Sequence, residues 1–119
     1  MAGSGPVTVI ETPEFQESVR KLLSDEELAV LIDYLAYNPA SGDLISGTGG
    51  VRKLRWGLEG RGKRGGARVI YFYHNTDVPL FALTAYAKNK RSDLSQSDRN
   101  EFRVLTGLLV AGYKKRKMK

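Results

Sequence analysis

The side chains best suited to chemistry in this sequence are cationic and occupy alternate positions of β-prone segments. Lys53 and Arg55 alternate with the apolar residues Leu54 and Trp56. In a strand, the two cationic side chains and the two apolar side chains would therefore point to opposite faces. Arg68, in the next β-prone segment, joins the cationic face if the strand register allows. Guanidinium and ammonium groups gathered in this way can neutralise the charge that develops on a phosphodiester during cleavage.

The apolar partners of the cationic pair indicate which face of the sheet is buried. We expect Leu54 and Trp56 to pack under helices, with Trp56 beside Phe102 and Leu105. The cationic pair would then lie on the opposite, exposed face.

Aromatic residues accompany the basic ones and keep a second interpretation open. These residues are Tyr71, Phe72, Tyr73 and Tyr86. Aromatic rings on a sheet can stack on RNA bases without any chemistry. Residue types alone therefore leave both a nuclease and a non-catalytic RNA-binding domain open.

Other reaction classes are poorly supported by the composition. The chain has no Cys and a single His, which excludes zinc fingers, Fe–S clusters, thiol catalysis and a two-histidine acid–base pair. Residues 47–50, Gly-Thr-Gly-Gly, lead into a strand, and the glycines of residues 60–65 also precede a strand, so neither segment fits a nucleotide-binding loop. The carboxylates are scattered along the sequence, whereas a two-metal nuclease needs carboxylates that converge on one site. We predict no metal and no cofactor.

The basic residues are concentrated in one part of the chain. Residues 1–50 contain two basic and eight acidic residues, a net charge of −6, whereas residues 51–119 contain 17 basic and five acidic residues, a net charge of +12. Such asymmetry indicates a polyanionic partner, nucleic acid before membrane. Around the alternating strand and in the Gly-rich loop that follows, the basic residues are Arg52, Arg61, Lys63 and Arg64.

Helix-start signals predict the elements that position these side chains. Thr12 followed by Pro13 begins a helix, and Ser24 with Glu27 forms the capping box of a second helix that ends before Pro39. The two form a helical hairpin. A third start, residues 95–98, begins a helix whose predicted apolar stripe is Phe102, Leu105, Leu108, Leu109 and Gly112.

The β-prone segments complete the predicted fold. A short run at residues 7–10 precedes the hairpin, residues 40–50 and 59–66 are interpreted as loops, and three longer strands form an antiparallel meander. Those strands are residues 51–57, 67–74 and 80–87. The fold class is α+β, with the N-terminal hairpin and the C-terminal helix packed on one face of the meander.

A chain of 119 residues suits a single domain, residues 1–119. Residues 1–6 are expected to be a frayed end or a cloning remnant, and residues 113–119 a basic tail. No apolar run approaches the roughly 20 residues of a membrane span, and no signal peptide opens the chain. The expected location is the cytoplasm, without membrane contact.

Several motifs, taken in order, resemble the RelE/ParE superfamily of bacterial toxins, and most closely its HigB-type branch. They are residues 47–55 (GTGGVRKLR), 62–71 (GKRGGARVIY), 86–89 (YAKN) and 92–94 (SDL). The resemblance covers about residues 7–112. It implies a RelE-like fold and a type II toxin that enters the ribosomal A site and cleaves mRNA without a metal, by attack of a ribose 2′-OH on the neighbouring phosphate.

The resemblance also implies roles for individual residues. The implied catalytic residues are Lys53, Arg55, Arg68 and Lys88. Lys53 is the better general base because an amine among cations can lose its proton whereas a guanidinium stays charged. Arg68 matches a phosphate-binding Arg. Relatives place an Arg and a Tyr where this sequence has Asn89 and Ser95; the candidate replacements are Lys88, Lys90 or Arg91, and Tyr86 or Tyr71.

The same resemblance implies the partners. They are a helix-turn-helix antitoxin of the HigA type, the A site of the 30S subunit, and mRNA. The predicted RNA-contacting residues are Arg52, Arg61, Lys63, Arg64, Tyr71, Tyr86, Lys90 and Arg91. The alternative is inhibition of DNA gyrase, as in ParE-type relatives. The antitoxin could cover the basic face or grip the acidic hairpin of residues 15–35, and we favour the hairpin.

Overall fold

The structure is a computed structural model that describes residues 5–58, 62–88 and 94–117. Eight elements lie in this part of the chain. In chain order they are β1 (Val9–Glu11), α1 (Pro13–Arg20), α2 (Asp25–Tyr37), β2 (Asp43–Leu44), β3 (Val51–Leu58), β4 (Gly62–Phe72), β5 (Leu80–Ala87) and α3 (Gln96–Lys117).

The predicted N-caps begin all three helices. The Thr12 hydroxyl accepts a hydrogen bond from a backbone N–H in the first turn of α1. Ser24 and Glu27 form a reciprocal capping box at α2, with distances of 3.1 and 2.9 Å. Ser95 and Asp98 form an equivalent pair at α3, both at 3.0 Å. Each cap satisfies N–H groups that a helix start otherwise leaves without partners.

The five strands form one mixed sheet in the order β1-β5-β4-β3-β2. Strands β2 to β5 pair antiparallel, as the predicted meander requires, and β1 adds to the edge of β5 in parallel. The α+β class is confirmed. Two details differ: β2 lies within the predicted loop of residues 40–50, and β4 begins at Gly62, inside the predicted Gly-rich loop.

The helices cover both faces of the sheet. Helices α1 and α2 pack on the face that carries Val69 and Tyr71, whereas α3 packs on the face that carries Ile70 and Phe72. The expectation that the C-terminal helix shares a face with the hairpin is therefore wrong. The physical reason lies in β4, where four successive apolar residues give the strand two apolar faces that must both be covered.

Helix α3 contacts the sheet through a different stripe from the one predicted. Its packed side includes Phe102, Thr106 and Leu109, while Leu105 and Leu108 are exposed. Because Thr106 replaces an expected leucine at the centre of this contact, hydrophobicity alone misplaces the face by part of a turn. No described helix is both long and apolar enough to traverse a bilayer.

Trp56 lies on the predicted face of β3 but among different neighbours. Its side chain is half-buried against the α1/α2 core, and its ring centroid is 5.4 Å from that of Tyr34 in α2. Phe102 belongs to the core on the other face of the sheet. The strand phase is thus confirmed, and the predicted contact with α3 is wrong because α3 packs on the opposite face.

Candidate functional site

The strand register brings the central cationic residues together. Arg55 of β3 pairs directly with Arg68 of β4, and Arg68 pairs with Tyr86 of β5. Directly opposed residues of antiparallel strands have Cβ atoms about 4.5–5.5 Å apart on one face. Three strands therefore contribute one row of two guanidinium groups and a phenol, on the face away from α1 and α2.

Arg68 is the most unusual member of this row. Its side chain is only 8% exposed, and the one hydrogen bond of its guanidinium within the described residues goes from Nη1 to the Ala67 carbonyl at 3.4 Å. Buried charges in proteins normally have an ionic partner, yet Arg68 faces another arginine, and like charges directly opposed destabilise a strand pair. This arrangement is suited to receiving an anion.

Lys53 extends the cationic row along β3. It lies two positions before Arg55 on the same face, half-buried, and Asp43 of β2 is directly opposite it. The sequence alone does not reveal Asp43, because a two-residue strand has no periodicity. Within the described residues, no group of three or more His, Cys, Asp or Glu side chains is arranged to hold a metal ion.

The remaining predicted residues of the basic surface are only partly described. Lys88 is exposed and follows directly after β5, two residues beyond Tyr86. Lys63 and Arg64 belong to the backbone of β4, but their side chains are outside the described part. Arg61, Lys90 and Arg91 lie outside the described residues altogether.

Tyr71 and Arg52 lie on the other face of the sheet. Tyr71 is fully buried, its phenol oxygen accepts a hydrogen bond of 2.8 Å from the Gly42 N–H, and burial raises its pKa above the ordinary value of 10.0. The prediction that Tyr71 contacts RNA is therefore wrong. Arg52 donates from Nη1 to the carbonyls of Ala40 and Gly42, so its guanidinium holds this loop instead of joining the cationic face.

The Gly-Thr-Gly-Gly segment forms the turn that starts β3. The Thr48 hydroxyl donates to the Ile45 carbonyl and accepts from the Val51 N–H, at 2.6 and 3.1 Å. Thr106 of α3 lies within 3.0 Å of the Thr48 carbonyl. Gly49 has φ +79°, and a Cβ there would lie 2.5 Å from the Thr106 hydroxyl. The motif and α3 together hold the beginning of the strand that carries Lys53 and Arg55.

The sequence model for the RelE toxin of the RelE/RelB toxin–antitoxin system matches residues 7–119. The chain belongs to the RelE toxin family. This match covers nearly the whole chain and confirms the resemblance at the level of the superfamily. As a family member, the chain is the toxin of a toxin–antitoxin pair, and a cognate antitoxin is its partner.

Proposed function

We propose that this RelE-family toxin is a ribosome-dependent endoribonuclease that cleaves translated mRNA in the A site. The observation that carries the proposal is Arg68, a nearly buried guanidinium opposed by Arg55 and without a carboxylate partner among the described residues. A phosphodiester supplies the negative charge that this pair lacks. The charge increases as the phosphorus becomes five-coordinate, so the pair binds the transition state more tightly than the substrate.

Each side chain of the row has a distinct part in the proposed reaction. Lys53 is the general base that takes the proton from the ribose 2′-OH, and the 2′ oxygen then attacks the adjacent phosphorus. Arg68 binds the phosphate and Arg55 stabilises the added charge. The bond from phosphorus to the 5′ oxygen breaks, and Lys88 or Tyr86 donates a proton to that oxygen. The products are a 2′,3′-cyclic phosphate and a 5′-hydroxyl.

The finer assignments follow from the same proposal. The toxin belongs to the HigB-type branch, its antitoxin carries a helix-turn-helix, and its ribosomal target lies in the cytoplasm. The reaction needs no metal ion because the arginines neutralise the phosphate and side chains transfer the protons. Exposed Lys88 and the basic residues around β3 and β4 bind RNA phosphates, so the affinity for RNA decreases steeply with salt.

The test combines two assays. In a cell-free translation system, the toxin should stop synthesis and generate mRNA ends within translated codons. In a second assay on ribosomes programmed with one defined mRNA, the ends of the cleaved message should be a 2′,3′-cyclic or 3′-phosphate and a 5′-hydroxyl. A 5′-phosphate product would refute the 2′-OH mechanism, and loss of DNA supercoiling by gyrase without RNA cleavage would favour the ParE-type alternative.

A further inference from the structure

Helix α3 exposes apolar side chains on the side that faces away from the sheet. Val104 and Leu108 are 64% and 66% exposed, and Leu105 beside them is 37% exposed. Val104, Leu108 and Ala111 follow one another at spacings of four and three residues, so they lie in one line along the helix. We call Val104, Leu105, Leu108 and Ala111 the α3 strip. A helix that is apolar on its outer side as well as its inner side is typical of a helix that is covered on both.

Two glycines border the α3 strip. Among the described residues beyond the helix itself, no atom lies within 4 Å of a Cβ added at Gly107 or Gly112. A glycine inside a helix lowers the stability of the helix relative to alanine, because its backbone loses more freedom on folding. A glycine also allows another surface to approach the helix closely. The two positions therefore favour a close contact from outside the chain.

The α3 strip is complementary in size to itself when a second α3 runs antiparallel to it. A two-fold axis at Leu108 pairs residues that lie at equal distances before and after this position. Val104 then opposes Gly112 of the second copy, and Leu105 opposes Ala111. Each larger side chain meets a small residue. A parallel pair would set large against large and small against small, which leaves space unfilled.

The charges of α3 fit the same antiparallel arrangement. Glu101 lies seven residues before Leu108 and Lys115 lies seven residues after it, so a carboxylate opposes an ammonium group twice in the pair. Glu101 also lines a hollow of about 460 Å³ together with Glu14. Helix α3 ends in four consecutive basic residues, 114–117, and this end of one copy would lie beside the acidic hollow of the other. A parallel pair would oppose like charges, which is unfavourable.

We propose that α3 is the interface of a homodimer, in which the strips of two copies pack antiparallel with Leu108 at the two-fold axis. Three observations carry the proposal: the exposed apolar line, the two glycines in open space, and the matched sizes and charges on either side of Leu108. The contact spans about four turns of one helix from each copy. The interface is therefore small, and the dimer depends on protein concentration. The proposal goes beyond the proposed RNA cleavage and does not depend on it.

The experiment measures the average mass of the purified full chain by sedimentation equilibrium over a range of concentrations. The mass should rise from that of one chain towards that of two. Leu108→Glu should raise the dissociation constant of the dimer by about 10- to 100-fold, because it sets two carboxylates against each other at the two-fold axis. Leu108 is exposed in the single chain, so the melting temperature at low concentration should stay unchanged. The matched control is Val30→Glu, at a residue 61% exposed on α2, and it should leave the dissociation constant unchanged.

A charge exchange tests the antiparallel direction. Glu101→Lys and Lys115→Glu should each weaken self-association, because both end contacts of the pair then oppose like charges. A mixture of the two variants should associate as the unaltered chain does, since each contact of the mixed dimer again joins opposite charges. The loss and the recovery should be largest at low salt, where charges are least screened. Unchanged self-association of both single variants would overturn the antiparallel contact.

Gly112→Gln should have opposite effects on the single chain and on the dimer. Glutamine is a better helix former than glycine and enters open space, so the melting temperature at low concentration should rise by about 2–4 °C. In the dimer the new side chain collides with Val104 of the second copy, so the dissociation constant should rise by about 10-fold or more. A position that served only the fold would not separate these two effects.

Three results would overturn the proposal as a whole. The first is the mass of one chain at every concentration. The second is self-association that Leu108→Glu leaves unchanged, and the third is self-association that Val30→Glu abolishes, which would assign the contact to α2. A chain that stays single, but loses binding of the purified product of the adjacent reading frame through Leu108→Glu, would assign the α3 strip to the antitoxin instead.

Discussion

Replacement of Arg68 by methionine should strongly reduce RNA cleavage without destabilising the toxin. Methionine keeps an unbranched side chain of similar length that can fill the space of the Arg68 stem, and it removes only the charged end. Most substitutions of a nearly buried residue weaken a fold. Here we expect the stability to stay the same or to rise slightly, because the guanidinium of Arg68 lies opposite another cation, Arg55.

The expected change in stability follows from the contacts of Arg68. Removal of the like charge opposite Arg55 should contribute about 0.2–1 kcal/mol to the free energy of unfolding. Methionine also avoids the desolvation of a buried guanidinium. The lost hydrogen bond to Ala67 is long, at 3.4 Å, and weak. The net effect should lie between no change and a gain of about 1 kcal/mol, or up to about 5 °C in the melting temperature.

The assay compares thermal unfolding and the rate of RNA cleavage for the same preparations. Cleavage should fall by about 10²- to 10³-fold, the usual loss when one group that stabilises a transition-state charge is removed. Arg20→Met, at an exposed arginine at the end of α1, is the control and should change neither quantity. A loss of more than about 2 kcal/mol would assign Arg68 a structural role, and retained cleavage would remove it from the site.

Two further substitutions test the supports of the site. Tyr71→Phe leaves the buried Gly42 N–H without its acceptor and should lower the free energy of unfolding by about 1–3 kcal/mol, measured in urea against the exposed control Tyr37→Phe. Burial raises the pKa of Tyr71, so the folded state favours the protonated phenol. This contribution to the free energy of unfolding is fully present below pH 10 and is lost as the pH rises through the pKa of the folded state. Tyr71→Phe should remove this loss of stability at high pH. Thr106→Val removes the hydrogen bond to the Thr48 carbonyl, so it should lower the free energy of unfolding by about 1–2 kcal/mol and reduce cleavage. Thr106→Ser keeps the hydroxyl and should retain both stability and cleavage. Equal defects in the two variants would contradict this account.

Local signals explain why part of the structure could be predicted from the sequence. A helix cap such as Ser24 with Glu27 can be predicted from four consecutive residues, and the structure contains that cap. The alternation in β3 likewise depends only on neighbours, so Leu54 and Trp56 face α1 and α2 as expected, and Lys53 and Arg55 do not. Whether Arg68 joined the cationic face depended on register, which the sequence left open and the pairing with Arg55 resolves.

Features that depend on distant residues were missed. Strand β2 has two residues, and the loop before it is held by Tyr71 and Arg52 from the neighbouring strands. No pattern near Asp43 reveals these contacts. Tyr71 itself was misassigned for a different reason. It lies three positions after Arg68, an odd spacing that puts it on the opposite face of a strand, so its phase contradicted the role suggested by its residue type.

The two faces of β3 connect the candidate site of the toxin to its hydrophobic core. Arg55 belongs to the cationic row, and the next residue, Trp56, packs its ring on Tyr34 of α2. A slip of one residue in this strand would exchange the two faces. The register is therefore a requirement of the candidate site and of the core packing at once. It is set where the strand begins, by the Thr48 hydroxyl on the Val51 N–H and by the contact of Thr106 with the Thr48 carbonyl. The packing of α3, through Thr106, thereby supports the start of the strand that carries Lys53 and Arg55.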